Sequence, residues 1–353
     1  MDRQKSIDIL SGRGEGIAPA GLRAGLRLAS WPYAGVMRLR RWAYRLGLLP
    51  SRAAGVPVIC VGNLTTGGTG KTPMVAWVVE RLEAAGRSPA ILTRGYRAGP
   101  DGESDEARLL AERTGAPVIV NADRVAGAAE AVAGGADVLV MDDGFQHRRL
   151  RRDLDIVLID AVEPFGFDRC LPGGLLREPL SALRDAGAVV VTHCDEAPTE
   201  HVDALADLLQ RRCPHAVHAR AVHRPVSLID PAGEAKPLDA LLGRRVYAFC
   251  GLGSPEHFFT SLGRLGARIT GRRALEDHAA YSGALLDELA GDARRAEASV
   301  LVTTEKDHVK LTGLAMPAPL WKLAVRLEVI EGTEALVDRI ARAAGFASPA
   351  GDE

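Results

Sequence analysis

The chain has 353 residues, 47% hydrophobic and 25% charged, with a formal net charge of −1. That is the make-up of a soluble globular protein of one large domain or two, and it gives no bulk attraction to nucleic acid. Five scattered cysteines without a C-x-x-C pair point to a reducing compartment and away from structural zinc.

No apolar run approaches the roughly 18 residues of a membrane span, and the start of the chain lacks the apolar core of a signal peptide. A cytoplasmic protein is therefore expected. From Gly16 to Val79 there is no Asp or Glu, and seven arginines fall between Arg23 and Arg52. Ser30 and Pro32 read as a helix start and Gly47 as its stop. Val36, Leu39, Trp42, Ala43 and Leu46 would share one face, with Arg38, Arg41 and Arg45 as an adjacent stripe. This arm, about residues 20–50, fits a basic amphipathic helix on an anionic membrane surface. It fits equally a helix packed on the core with a solvated basic edge.

Short β-rich runs follow at 56–61, 89–93, 117–120, 137–141, 155–160 and 188–192, separated mostly by helix-like stretches. That alternation predicts a mostly parallel sheet with helices on both faces. Ligands on such sheets bind at the carboxyl ends of the strands, where "GNLTTGGTGKT", "TRGY" and "DDGFQH" fall. A second, smaller α/β unit reads from about 225 to 325. It opens with a strand, a glycine turn, and a helix with Ser254 as N-cap and Pro255 at its first position. Strand-like segments near 216–224 and 319–329 read as a two-stranded linker. The larger domain is 1–217, and the last helix, within 330–353, is expected to return to it.

The chemistry concentrates in two places. In "VGNLTTGGTGKTP", Gly67, Gly68 and Gly70 bare the backbone amides, Lys71 supplies a cation and Thr72 a hydroxyl for Mg2+. Together with the helix N-terminus that follows, this is a phosphate-binding P-loop. Thr65, Thr66 and Thr69 complete it, although the usual pattern has glycine where Thr65 stands. In "ADVLVMDDGFQHRRL", Asp142 ends a buried strand, where a P-loop enzyme places its metal-shell carboxylate. Asp143 would bind metal or orient the attacking group, with Gln146 and His147 just beyond.

These motifs, followed in order by "TRGY", "SDEARLLA", "DDGFQHRRL", "LPGGLLREPL", "EDHAAY" and "TTEKDHVKL", resemble the tetraacyldisaccharide 4'-kinases, the lipid A 4'-kinase family of Gram-negative bacteria. The resemblance spans about residues 30–330 and includes Thr65, since the family's loop also lacks the first glycine. It implies a P-loop NTPase-like fold and transfer of the γ-phosphate of ATP, with Mg2+, to the 4'-hydroxyl of a tetraacylated disaccharide 1-phosphate. It also implies work at the cytoplasmic face of the inner membrane, which gives the basic arm a use.

The resemblance assigns Lys71 and Thr72 to the loop's lysine and metal ligand, and Asp142 to the acidic metal shell. It pairs Asp105 with His278 as the suspected base. Both stretches depart from the family pattern, with Ser104, Ala107 and Ala279 at altered positions. Arg94, Arg124, Arg177 and Glu178 are further candidates for binding substrate and stabilising charge. The alternative is a nucleotide switch or metal-delivery GTPase on a similar sheet, but a guanine-reading "NKxD" and a Cys/His metal cluster are absent from the sequence. The role of "TTEKD" is open.

Overall fold

The structure, a computed structural model, describes Leu10 and residues 17–95, 104–276, 279–311, 314 and 317–346. Two compact units emerge: Met1–Gly95 with Thr114–Val222 and Val329–Glu353, and Tyr96–Arg113 with His223–Glu328. Residues 104–113 thus group with the second unit, although in sequence they lie inside the first.

The first unit is built on parallel strands. They are β1 (Val58–Asn63), β2 (Pro89–Thr93), β3 (Val118–Val120), β4 (Val138–Asp142), β5 (Leu154–Asp160), β6 (Ala188–Thr192) and β7 (Val217–Ile229). Their order is β7-β6-β5-β1-β4-β2-β3, every neighbouring pair parallel. All six residues of β1 are buried, so its alternating side chains are covered on both sides of the sheet. That is why these strands read as continuous Val, Ile and Leu runs rather than alternating ones. The helix Thr333–Ala344 packs against β1 and against the helix Lys71–Ala84.

The chain leads in with a helix over Ile17–Arg45. This corrects the expected start at Ser30: Pro32 lies inside the helix. Proline removes one backbone donor there, and just before it Ser30 Oγ bonds back to the Leu26 carbonyl at 3.0 Å. The helix continues because both sides of Pro32 are held: Ser30 and Ala34 are buried, and Tyr33 Oη donates to the Arg177 carbonyl at 3.0 Å.

The second unit has the short β8 (Ala235–Lys236), antiparallel to the end of β7, and then β9 (Arg245–Cys250), β10 (Arg268–Ala274), β11 (Val300–Thr304) and β12 (Leu320–Glu331). The order is β10-β9-β11-β12, again parallel. Alternate residues of β9 enter different clusters, Val246, Ala248 and Cys250 in one and Tyr247 and Phe249 in the other. Strands β7 and β12 each run from one unit into the other.

Candidate active site

Strand β1 ends at Asn63, and the helix Lys71–Ala84 begins at the lysine itself. Gly70 makes the corner with φ 82°, a left-handed conformation that favours glycine. At Gly67 and Gly68 a Cβ would meet nothing within 4 Å. These two glycines therefore serve no packing purpose. The Thr69 hydroxyl is buried and has no hydrogen-bond partner among the described residues. The Thr69 carbonyl accepts from Thr192 Oγ1 at 3.1 Å, which ties the loop to the end of β6.

The missing first glycine has a structural reason. Thr65 is buried and forms an isolated antiparallel bridge with Leu176. On either side, the Thr66 amide donates to the Leu175 carbonyl at 2.8 Å and the Arg177 amide to the Leu64 carbonyl at 2.7 Å. The opening of the loop is thus extended backbone paired with "LPGGLLREPL". Extended backbone suits a β-branched residue and makes no call on glycine.

The same pairing delivers Arg177. Its Nη1 donates to both oxygens of Asp143, at 2.9 and 2.8 Å. Asp143 Oδ1 lies 3.8 Å from Lys71 Nζ. Lys71 Nζ is also 3.5 Å from Asn63 Oδ1 and from the Gly67 carbonyl. Burial pushes the Asp143 carboxyl up, but Lys71 and Arg177 together outweigh burial and hold it below the usual carboxylate range. Its backbone has φ 49°, a strained value that Asp tolerates better than most residues.

Asp142 is buried at the end of β4, in parallel register with Val61 of β1. Arg124, also buried, donates to the Asp142 carbonyl at 3.3 Å and to the Asn121 carbonyl at 2.9 Å. Gln146 Nε2 donates to the Asn63 carbonyl at 2.9 Å. His147 is half-buried, and burial, aided by Arg124, pushes its imidazole below the ordinary value. Glu178 is 1% exposed and pairs with Arg148 at 3.2 Å. Thr72 is half-buried on the first turn of its helix, and Arg94 is exposed.

Several residues here were not singled out from the sequence. Asn63 is fully buried between strand and loop. A Cβ on Gly62 would fall 2.7 Å from Phe145 Cβ and 3.0 Å from its amide nitrogen, so only glycine lets β1 pass the Asp142–Gln146 turn. Tyr33 and Arg148 act through partners far away in the chain. Only the position of Asn63 and Gly62, at the strand end before the glycines, could have signalled them.

The chain matches the family model described as tetraacyldisaccharide-1-P 4'-kinase over residues 22–344. The chain belongs to that family. It is 42% identical over 343 residues to the tetraacyldisaccharide 4'-kinase of Anaeromyxobacter sp. (strain K), covering 90% of each chain. With that of Geobacter sulfurreducens it shares 37% over 356 residues, covering 94% of this chain and 97% of the other. A crystal structure of LpxK from Aquifex aeolicus in complex with ATP superposes with a TM-score of 0.73 at 30% identity, covering 92% of this chain and 99% of that one.

These matches do not favour a nucleotide switch or a metal-delivery GTPase. Of the base pair that the family motifs suggest, Asp105 opens the helix Asp105–Thr114 in the second unit, and His278 lies outside the described residues. Ser104, a departure from the family pattern, caps that helix, its Oγ accepting from the Ala107 amide at 3.2 Å.

Proposed function

We propose that this chain transfers the γ-phosphate of ATP to the 4'-hydroxyl of a tetraacylated glucosamine disaccharide 1-phosphate, working at an anionic membrane surface. The observation that carries the reading is an open glycine loop ending in Lys71, in a chain that matches the kinase family over 22–344. Amides of residues 66–70 cradle the phosphates, with the helix N-terminus behind them. Lys71 binds the outer phosphates, and Arg177 and Asp143 fix its position. Arg124 and Arg177 add positive charge for the oxygens of the group in flight.

Thr72 and Asp142 offer a hydroxyl and a carboxylate, the hard oxygen donors that Mg2+ prefers, and they would hold it. Bound there, Mg2+ would neutralise charge on the phosphoryl oxygens. Asp105 and His278 take the proton of the acceptor hydroxyl, a step worth about 10²–10⁴-fold in rate.

The membrane reading draws on which way the first helix faces. Leu28 and Trp31 are 73% exposed, and Val36 and Leu39 63%. An outward apolar stripe of this size marks an interaction surface. Arg38 stays exposed beside it, whereas Arg41 and Arg45 turn to Asp185. The basic edge is therefore partly neutralised, and the apolar face dominates. Among the described residues no helix is long and apolar enough to cross a membrane.

The test of the reaction is γ-labelled ATP with Mg2+ and detergent-dispersed acceptor. Label at the 4' position is the expected result; ATP binding without label in the lipid would overturn the proposal. For the membrane, Trp31→Ser with Leu39→Ser should weaken sedimentation with anionic vesicles about tenfold or more, since each buried side chain of this size contributes about 1.5–3 kcal/mol. Unchanged sedimentation would count against the helix as the docking element.

A further inference from the structure

The stretch 303–311 has no part in the reaction as described, yet most of its polar side chains are held within the second unit. Thr303 Oγ1 donates to the Phe249 carbonyl at 2.9 Å. Thr304 Oγ1 accepts from the Asp307 amide at 3.1 Å and donates to Asp307 Oδ2 at 2.7 Å. Asp307 is 0% exposed, and its Oδ2 also accepts from the Gly251 amide at 2.9 Å. A Cβ at position 251 would come 2.9 Å from Asp307 Oδ1, so the glycine makes room for this carboxylate.

Three ion pairs then join the stretch to the helix that Asp105 opens. Glu305 pairs with Arg113, Lys306 with Glu106 at 3.6 Å, and Lys310 with Asp105 at 3.9 Å. The third pair differs from the others. The Lys310 side chain is 6% exposed, with Nζ 3.5 Å from Asp307 Oδ1 and 5.9 Å from the centre of the Tyr281 ring. An ammonium so withdrawn from water is screened little, so its pull on a nearby carboxylate is stronger than that of a surface lysine.

We infer that Lys310, anchored by Asp307, is the positioning residue for Asp105, and that "TTEKDHVK" is the clamp that sets this carboxylate in place. The inference rests on the reading of Asp105 as part of the base. Asp307 is held by Thr304 and Gly251, so its charge has one fixed location. Lys310 faces that charge and spans to Asp105 Oδ2. Glu305 and Lys306 fix the rest of the Asp105 helix along its length, and Glu305 further accepts from the Val325 amide at 3.0 Å. The Ser104 cap fixes the helix start. A carboxylate facing a fixed cation, on a helix whose start is capped, keeps one orientation, as a general-base pair requires.

The test uses the full chain and steady-state kinetics with ATP and the lipid acceptor. Lys310→Met combined with Asp307→Asn removes both charges together and leaves no lone buried ion. It should lower kcat by on the order of 10²-fold, the effect of misplacing a catalytic group by about an ångström. The KM for ATP should stay within about twofold, because ATP contacts are not touched. Adding Asp105→Asn should bring the loss to that of Asp105→Asn alone and no further, since both changes disable the same unit.

Full kcat in the Lys310/Asp307 variant, or losses that multiply with Asp105→Asn, would overturn the inference. Should that variant fail to fold, Lys310→Arg, which keeps a cation beside Asp307 and alters only its reach to Asp105, should lower kcat with the KM for ATP unchanged. Full kcat in Asp105→Asn alone would remove the base reading itself. A slow Asp105→Asn beside a fast Lys310/Asp307 variant would remove only the clamp.

Discussion

Replacing Lys71 by alanine is expected to slow phosphate transfer by on the order of 10³-fold, as loss of a fixed charge on a transferring phosphoryl group does. Vesicle binding should be unchanged, because the exposed apolar face of the Ile17–Arg45 helix does not include Lys71. Stability should change by less than about 1 kcal/mol: Asp143 keeps both hydrogen bonds from Arg177, and it is partly open to water. Phosphate transfer and vesicle sedimentation measured on one preparation test both halves. A variant that transfers phosphate at the parent rate would remove the loop from the reaction.

The largest loss of stability is expected at Arg148. This arginine is buried, with Glu178 3.2 Å from one Nη and Asp185 2.8 Å from the other. Asp185 also holds Arg41 at 3.8 Å and Arg45 from the first helix. Arg148→Met fills much of the volume but leaves Glu178 without its cation. An uncompensated buried charge of this kind costs about 3–5 kcal/mol, and urea unfolding at pH 7 should show it.

The pH dependence gives that prediction a sign. Burial already pushes the Glu178 carboxyl up against the pull of Arg148. A raised acid costs stability above its folded pKa and costs nothing below its unfolded pKa, near 4.3. Without Arg148 the carboxyl rises further. The gap between variant and parent should therefore be full at neutral pH. It should narrow as pH falls through the folded value of Glu178 and shrink toward zero near the unfolded one. A gap that does not change with pH would mean the loss comes from packing rather than from the stranded charge.

What the sequence determined by itself is local. Strand β1, the glycine loop and the helix from Lys71 lie within one contiguous stretch, and short-range backbone preferences shape each of them. Apolar runs separated by helical periods were enough for the parallel α/β sheet, because strands covered on both faces must be apolar throughout. The places of Lys71, Asp142 and Asp143 at element ends were legible for the same reason: the neighbours of each define that end.

What the tertiary structure decided depends on residues far apart in the chain. Thr65 is extended because Leu176 pairs with it. The first helix runs through Pro32 because Ser30, Tyr33 and Ala34 are held by the body of the protein. Arg41 and Arg45 look like a free basic stripe on a helical projection, yet they close on Asp185. Asp105 finds Lys310, and Asp307 finds Gly251. None of these pairings leaves a local trace, because attraction between two side chains depends on distance in space and on how much water lies between them. A one-dimensional pattern records neither.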